Sequence, residues 1–134
     1  MSGTVDLADF GVTREGRPVA RAVLDNGLGL RACVLSYGGV LQQLHVPDRE
    51  GRPANVVLGF DGLADYEVDG PYFGAIIGRY ANRIRDASFT LDGVVHHVGR
   101  NDPFGCVHGG QAGFDKRVWY LRGLPDPELG VRLT

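Results

Sequence analysis

Short runs of alternating apolar and polar residues, separated by glycine-bearing turns, fill most of this chain. Pro18 to Leu24, Leu30 to Tyr37 and Val40 to Val46 predict three successive strands, since a period of two sends alternate side chains to opposite faces of a sheet. In the second run Arg31, Cys33, Leu35 and Tyr37 share one face, and Ala32, Val34 and Ser36 the other. Val56 to Leu58 predicts a short apolar strand. Ala87 to Leu91 and Val94 to Val98 flank Asp92-Gly93, a strong hairpin signal. Arg117 to Arg122 predicts another strand, and Gly130 to Thr134 begins one more that is expected to be cut in mid-strand. Helical periodicity is confined to Leu63 to Glu67, enough for a single turn. The expected class is all-β, an antiparallel β-sandwich.

Glycine accounts for 21 of the 134 residues and lies beside turn formers throughout: Asn26-Gly27, Gly38-Gly39, Asp61-Gly62, Asp69-Gly70, Asp92-Gly93 and Gly109-Gly110. Such pairs reach the positive φ angles of tight turns. With 43% hydrophobic and 22% charged residues the composition is that of a globular protein. A net charge of -2 offers no basic footprint for nucleic acid, and no apolar run is long enough for a membrane span. The start of the chain, Met1 to Asp6, lacks the charged and apolar segments of a signal peptide, so a cytoplasmic location is expected. Cys33 and Cys106 stand far apart and predict two reduced thiols, not a zinc site. Arginine outnumbers lysine 13 to 1, which lowers the weight of any single arginine as a sign of chemistry.

Phosphate-loop, nucleophile-elbow, zinc-helix and dinucleotide signatures are all absent. Two polar clusters remain. Gly78 to Ile84 contains Arg79, Asn82 and Arg83, and sugar recognition needs such planar donors and amides, with an aromatic surface for the ring's C–H face. Tyr72, Phe73, Tyr80 and Phe104 are candidates for that surface. Given the arginine bias, the residues alone read Arg79, Arg83 and Arg85 as a solvated strand-and-turn face. In Asn101 to Gly110, His108 stands before two glycines, where backbone can approach a ligand; a plain turn histidine is the other reading. His96-His97 lies in an alternating strand, so one ring is expected to point inward and one outward, which does not make a metal pair. His45, at a strand end, is expected to be structural or exposed.

The sequence Gly78-Arg79-Tyr80-Ala81-Asn82-Arg83-Ile84 resembles the Gly-Arg-x-x-Asn-Arg-Ile motif of aldose 1-epimerases, and Val107-His108-Gly109-Gly110 resembles their Leu-His-Gly-Gly motif. Gly113 to Trp119 follows as in that family. Ser36 to Gly39, Val46 to Asp48, Val57 to Asp61 and Pro71 to Ala75 precede in the family's order, so the resemblance runs from about Phe10 to Trp119. Departures are Val107 for the usual leucine and the approach Asn101 to Phe104.

The resemblance implies a galactose mutarotase-like supersandwich, incomplete at its C-terminus, with residues 1–134 as the N-terminal part of one domain. It implies interconversion of the α and β anomers of aldohexoses such as glucose and galactose, with no cofactor and no metal. By similarity Asn82, Arg83 and His108 contact the sugar, and Arg79 is structural. The family's acid, a second histidine, and its base, a glutamate, are expected beyond Thr134, because Glu15, Glu50, Glu67 and Glu128 match neither position. The isolated chain is therefore expected to be inactive and to self-associate through an open sheet edge. A sugar-binding module without turnover and a hexose-phosphate epimerase relative are the alternatives.

Overall fold

The computed structural model describes residues 2–68 and 70–134; Met1 and the Asp69 of the expected Asp69-Gly70 turn lie outside the described residues. Five strands, β1 (Thr4–Val12), β2 (Pro18–Asp25), β3 (Arg31–Leu35), β4 (Leu41–Pro47) and β5 (Pro53–Asn55), form one antiparallel meander in sequence order. A single turn of helix, α1 (Leu63–Tyr66), follows. The remaining strands pair as three two-stranded ribbons: β6 (Arg83–Arg85) with β9 (Gly105–Val107), β7 (Ser88–Leu91) with β8 (Val94–His97), and β10 (Leu121–Leu124) with β11 (Gly130–Leu133). Every pairing is antiparallel, and the all-β expectation holds. Among the described residues no helix is long and apolar enough to cross a membrane.

The core lies on one side of the meander. Val19, Leu35, Tyr37 and Val40 meet Leu63 and Tyr66 of α1, with Phe10, Phe60, Ala75 and Val118 packed around them. Val19, Leu35 and Val40 are each buried almost completely, worth about 1.5–3 kcal/mol apiece. Alternation in β3 decides this side, since Cys33 and Leu35 are buried while Ala32 and Val34 between them are only half-buried. Tyr66 fixes the preceding loop as well, its hydroxyl accepting the Phe60 N–H at 2.8 Å.

Most predicted strands form within a residue or two of their expected limits, and Leu91 pairs with Val94 around Asp92 and Gly93, both at positive φ. The expected strand at Val56 to Leu58 does not form. The strand there is β5, three residues earlier, and the Asn55 carboxamide ends it by accepting the Leu44 N–H at 2.9 Å in place of a backbone carbonyl. Val56 and Leu58 are left 60% and 70% exposed. The expected strand at Arg117 to Arg122 starts late. Arg117 to Trp119 instead zip onto the turn after β3, where Gly38 N–H donates to Arg117 and Trp119 N–H to Ser36, both at 2.8 Å. That partner is a turn, so the contact stays an isolated Tyr37–Val118 bridge and β10 begins at Leu121.

His96 and His97 also depart from expectation, since both are exposed. Alternation holds, but neither face of the β7–β8 ribbon is covered: Phe89, Leu91, Val94 and Val95 are 42–58% exposed, and His96 stacks on Phe89 at 5.2 Å. His45 is half-buried in β4, opposite Arg31 and Asn55. Cys33 and Cys106 are free thiols, both buried.

Candidate functional site

The two polar clusters of the sequence come together through the shortest ribbon of the fold. In the β6–β9 pair Arg83 lies opposite Val107, so Asn82 and His108 face each other one step beyond its end. The His108 N–H donates to the Asn82 carbonyl at 3.0 Å, and the Asn82 N–H donates to Nδ1 of the His108 ring at 3.1 Å. Both residues take positive φ, 63° and 53°, and so leave the ribbon by left-handed turns. Asparagine and histidine tolerate that conformation better than most residues. Tyr72, which tolerates it poorly, also sits at φ 50° and sets its ring edge-on to His108, with centroids 4.8 Å apart. Three left-handed non-glycine residues thus converge on one spot, held by the structure around them.

The loop before β9 supports this arrangement from below. Asn101 accepts the Val107 N–H at 2.7 Å and donates its own amide to the Val107 carbonyl at 2.9 Å, gripping both backbone groups of the residue before His108. Asp102 is mostly buried and lies 3.6 Å from the half-exposed Arg83 guanidinium, while its other oxygen accepts the Phe104 N–H at 3.0 Å. Gly109, at φ 95°, runs so close beneath the Gly78 carbonyl that a Cβ there would collide with it. Asn101 was visible in the sequence only as part of a loop; its side chain is the polar grip that a short ribbon needs to hold register.

The structure brings Asn82, Arg83 and His108 to one end of the β6–β9 ribbon and separates the other candidates. Arg79 stacks on Phe114 at 5.3 Å, and Arg117 on the same ring at 5.6 Å. Among the candidate aromatics only Tyr72 reaches His108. Phe73 packs against Phe60, and Tyr80 and Phe104 project outward, 55% and 73% exposed. The carboxylates are placed elsewhere too: Glu67 accepts the Arg14 N–H at 2.9 Å, Glu50 sits in an exposed turn with Arg49 and Arg52, and Glu15 and Glu128 are exposed. Among the described residues no group of three or more His, Cys, Asp or Glu side chains could hold a metal ion.

Behind Tyr72 the fold closes. Tyr72 lines a cavity of about 30 Å³ with Tyr37, Phe60 and Tyr66, room for about one water and far too little for a hexose. Burial pushes the Tyr37 phenol up to about 12, with the Glu67, Asp115 and Glu15 carboxylates adding to the effect and Arg14 opposing it.

The model of the family described as aldose 1-epimerase matches residues 21–134. The chain belongs to the aldose 1-epimerase family. A galactose mutarotase of Homo sapiens is 46% identical to it over 122 residues, covering 90% of this chain and 35% of that protein. A galactose mutarotase of Bos taurus is 47% identical over 95 residues, covering 71% of this chain and 28% of that protein. The crystal structure of a galactose 1-epimerase from Lactobacillus acidophilus NCFM superimposes with a TM-score of 0.75 at 25% identity, over 92% of this chain and 35% of that one. The expected antiparallel sandwich of an aldose 1-epimerase is thus the fold of this chain, which spans about a third of the length of the curated relatives it matches.

Proposed function

We propose that this chain carries part of the sugar-binding surface of an aldose 1-epimerase that interconverts the α and β anomers of free hexoses such as glucose and galactose. The observation that supports it is the facing of Asn82 and His108 across the end of the β6–β9 ribbon, with Arg83 beside them. An amide, an imidazole and a guanidinium on one short ribbon supply the directional donors and acceptors a hydroxyl-rich ligand needs, and the Tyr72 ring offers an apolar neighbour.

In such a reaction a base takes the proton of the C1 hydroxyl while an acid protonates the ring oxygen. The bond between C1 and the ring oxygen breaks, the open-chain aldehyde turns about C1–C2, and closure on either face yields either anomer. Arg83 and His108 would stabilise the charge that develops on oxygen, and the acid–base pair would contribute about 10²- to 10⁴-fold. That pair is not assigned among these residues, because Asp102 is engaged with Arg83 and the glutamates lie apart from His108. It is assigned to the remaining two-thirds of a full-length enzyme, so the chain alone holds sugar weakly and does not turn it over.

Polarimetry of freshly dissolved α-D-galactose, with and without the chain near neutral pH, tests the assignment. The relaxation is expected to match buffer alone. An acceleration that His108→Ala abolishes would place the acid and base within this chain.

A further inference from the structure

The hydrogen bond at His108 Nδ1 fixes more than the ring's position. A backbone N–H can only donate, so the Asn82 peptide, 3.1 Å away, requires a bare nitrogen at Nδ1. A proton on Nδ1 would set two donors face to face, and a flipped ring would present a C–H to the same N–H. The neutral imidazole then carries its proton on Nε2, on the far side of the ring from the Asn82 peptide.

This geometry needs the two strand ends to stay in register, and Asn101 is the side chain that holds one of them. Its amide orientation is set by the backbone it grips: the oxygen must face the Val107 N–H and the nitrogen the Val107 carbonyl. Val107 is buried, so water does not readily replace either bond. The Tyr72 ring edge limits rotation of the imidazole from a third side.

We infer that Asn101 is a positioning residue that, with the Asn82 peptide N–H, locks His108 as its Nε2–H tautomer and makes it a one-way hydrogen-bond donor to a ligand oxygen. Extended to sugar, the inference rests on the function proposed above: His108 would donate to a sugar oxygen and would not accept a proton from a sugar hydroxyl. The tautomer itself does not depend on sugar.

Long-range ¹H–¹⁵N spectra of the histidine rings, recorded without sugar at about pH 8, where an ordinary histidine is neutral, test it directly. His108 is expected to show an unprotonated Nδ1 and a protonated Nε2. A protonated Nδ1, or the averaged pair of frequencies of an exchanging ring, would overturn the inference. In Asn101→Ala the two frequencies are expected to move toward that average while the β-sheet circular dichroism persists; frequencies identical to wild type would remove Asn101 from the role. If Asn101→Ala does not fold, Asn101→Asp keeps the acceptor and loses the donor, and the same two outcomes apply. Failure of D-galactose to bind would count against the proposed function and leave the tautomer result standing.

Discussion

Gly109 lies directly beneath the Gly78 carbonyl, and this contact between two glycines joins the motifs that carry Arg83 and His108. Neither position has room for a side chain, since a Cβ on Gly78 would run into the Phe114 ring. Backbone packed on backbone brings His108 up to the end of β6.

Gly109→Ala should therefore destabilise the chain. The left-handed φ of 95° costs a non-glycine residue about 1–3 kcal/mol, and the collision with the Gly78 carbonyl adds to it. Urea denaturation is expected to show a lower midpoint, with the His108 resonances displaced. An unchanged midpoint would mean that the two turns are not in contact.

Asp102→Asn should separate stability from binding. The Asp102–Arg83 pair is loose, at 3.6 Å, and Arg83 is 57% exposed, so its loss is worth about 0.2–1 kcal/mol. The new side chain can still accept the Phe104 N–H. Arg83, however, loses the partner that orients it, and re-ordering such a side chain on binding costs roughly 0.5–1.5 kcal/mol, or about 2- to 10-fold in affinity. Galactose titration and thermal unfolding of the same variant check both halves; a large stability loss with unaltered affinity would reverse the assignment.

Tyr37 gives the fold an alkaline limit. Its phenol is held up to about 12 by burial first and by Glu67, Asp115 and Glu15 next, against about 10 in the unfolded chain. Below about pH 10 both states are protonated and the contribution is whole. Between about 10 and 12 the unfolded state alone gives up its proton, so stability falls as pH rises, by roughly 2 kcal/mol across the window. Burial also raises Tyr66, which acts in the same sense. Unfolding free energies at about pH 9 and about pH 11 should differ less in Tyr37→Phe than in wild type. An equal difference in the two proteins would mean that Tyr37 is not the titrating group.

The central strands β2, β3 and β4 were legible because they carry the buried face of the meander, and a buried face imposes a period of two on residues such as Cys33 and Leu35. The strand β1 escaped notice because it is an edge: Asp6 and Asp9 interrupt its pattern, a register shift falls between Asp9 and Gly11, and most of it is exposed. The site strands β6 and β9 escaped for another reason. Three residues cannot display a period, and their pairing depends on Asn101 and Gly109, whose parts are set by contacts distant in sequence. Asn82, Arg83 and His108 could be named from motif resemblance, yet their meeting across one ribbon could not be read from 26 residues of separation. At β5 the Asn55 side chain, a local competitor for the ladder, ends the strand three residues before where its apolar residues placed it.

The most direct measurement of the central claim is a titration of the ¹⁵N-labelled chain with D-galactose, followed residue by residue in ¹H–¹⁵N spectra. Saturable shifts are expected at Asn82, Arg83 and His108, with a weak affinity that His108→Ala and Arg83→Ala each abolish while the rest of the spectrum is preserved. Shifts confined to other parts of the chain, or binding that survives both substitutions, would contradict the assignment of the β6–β9 ribbon as the sugar-binding surface.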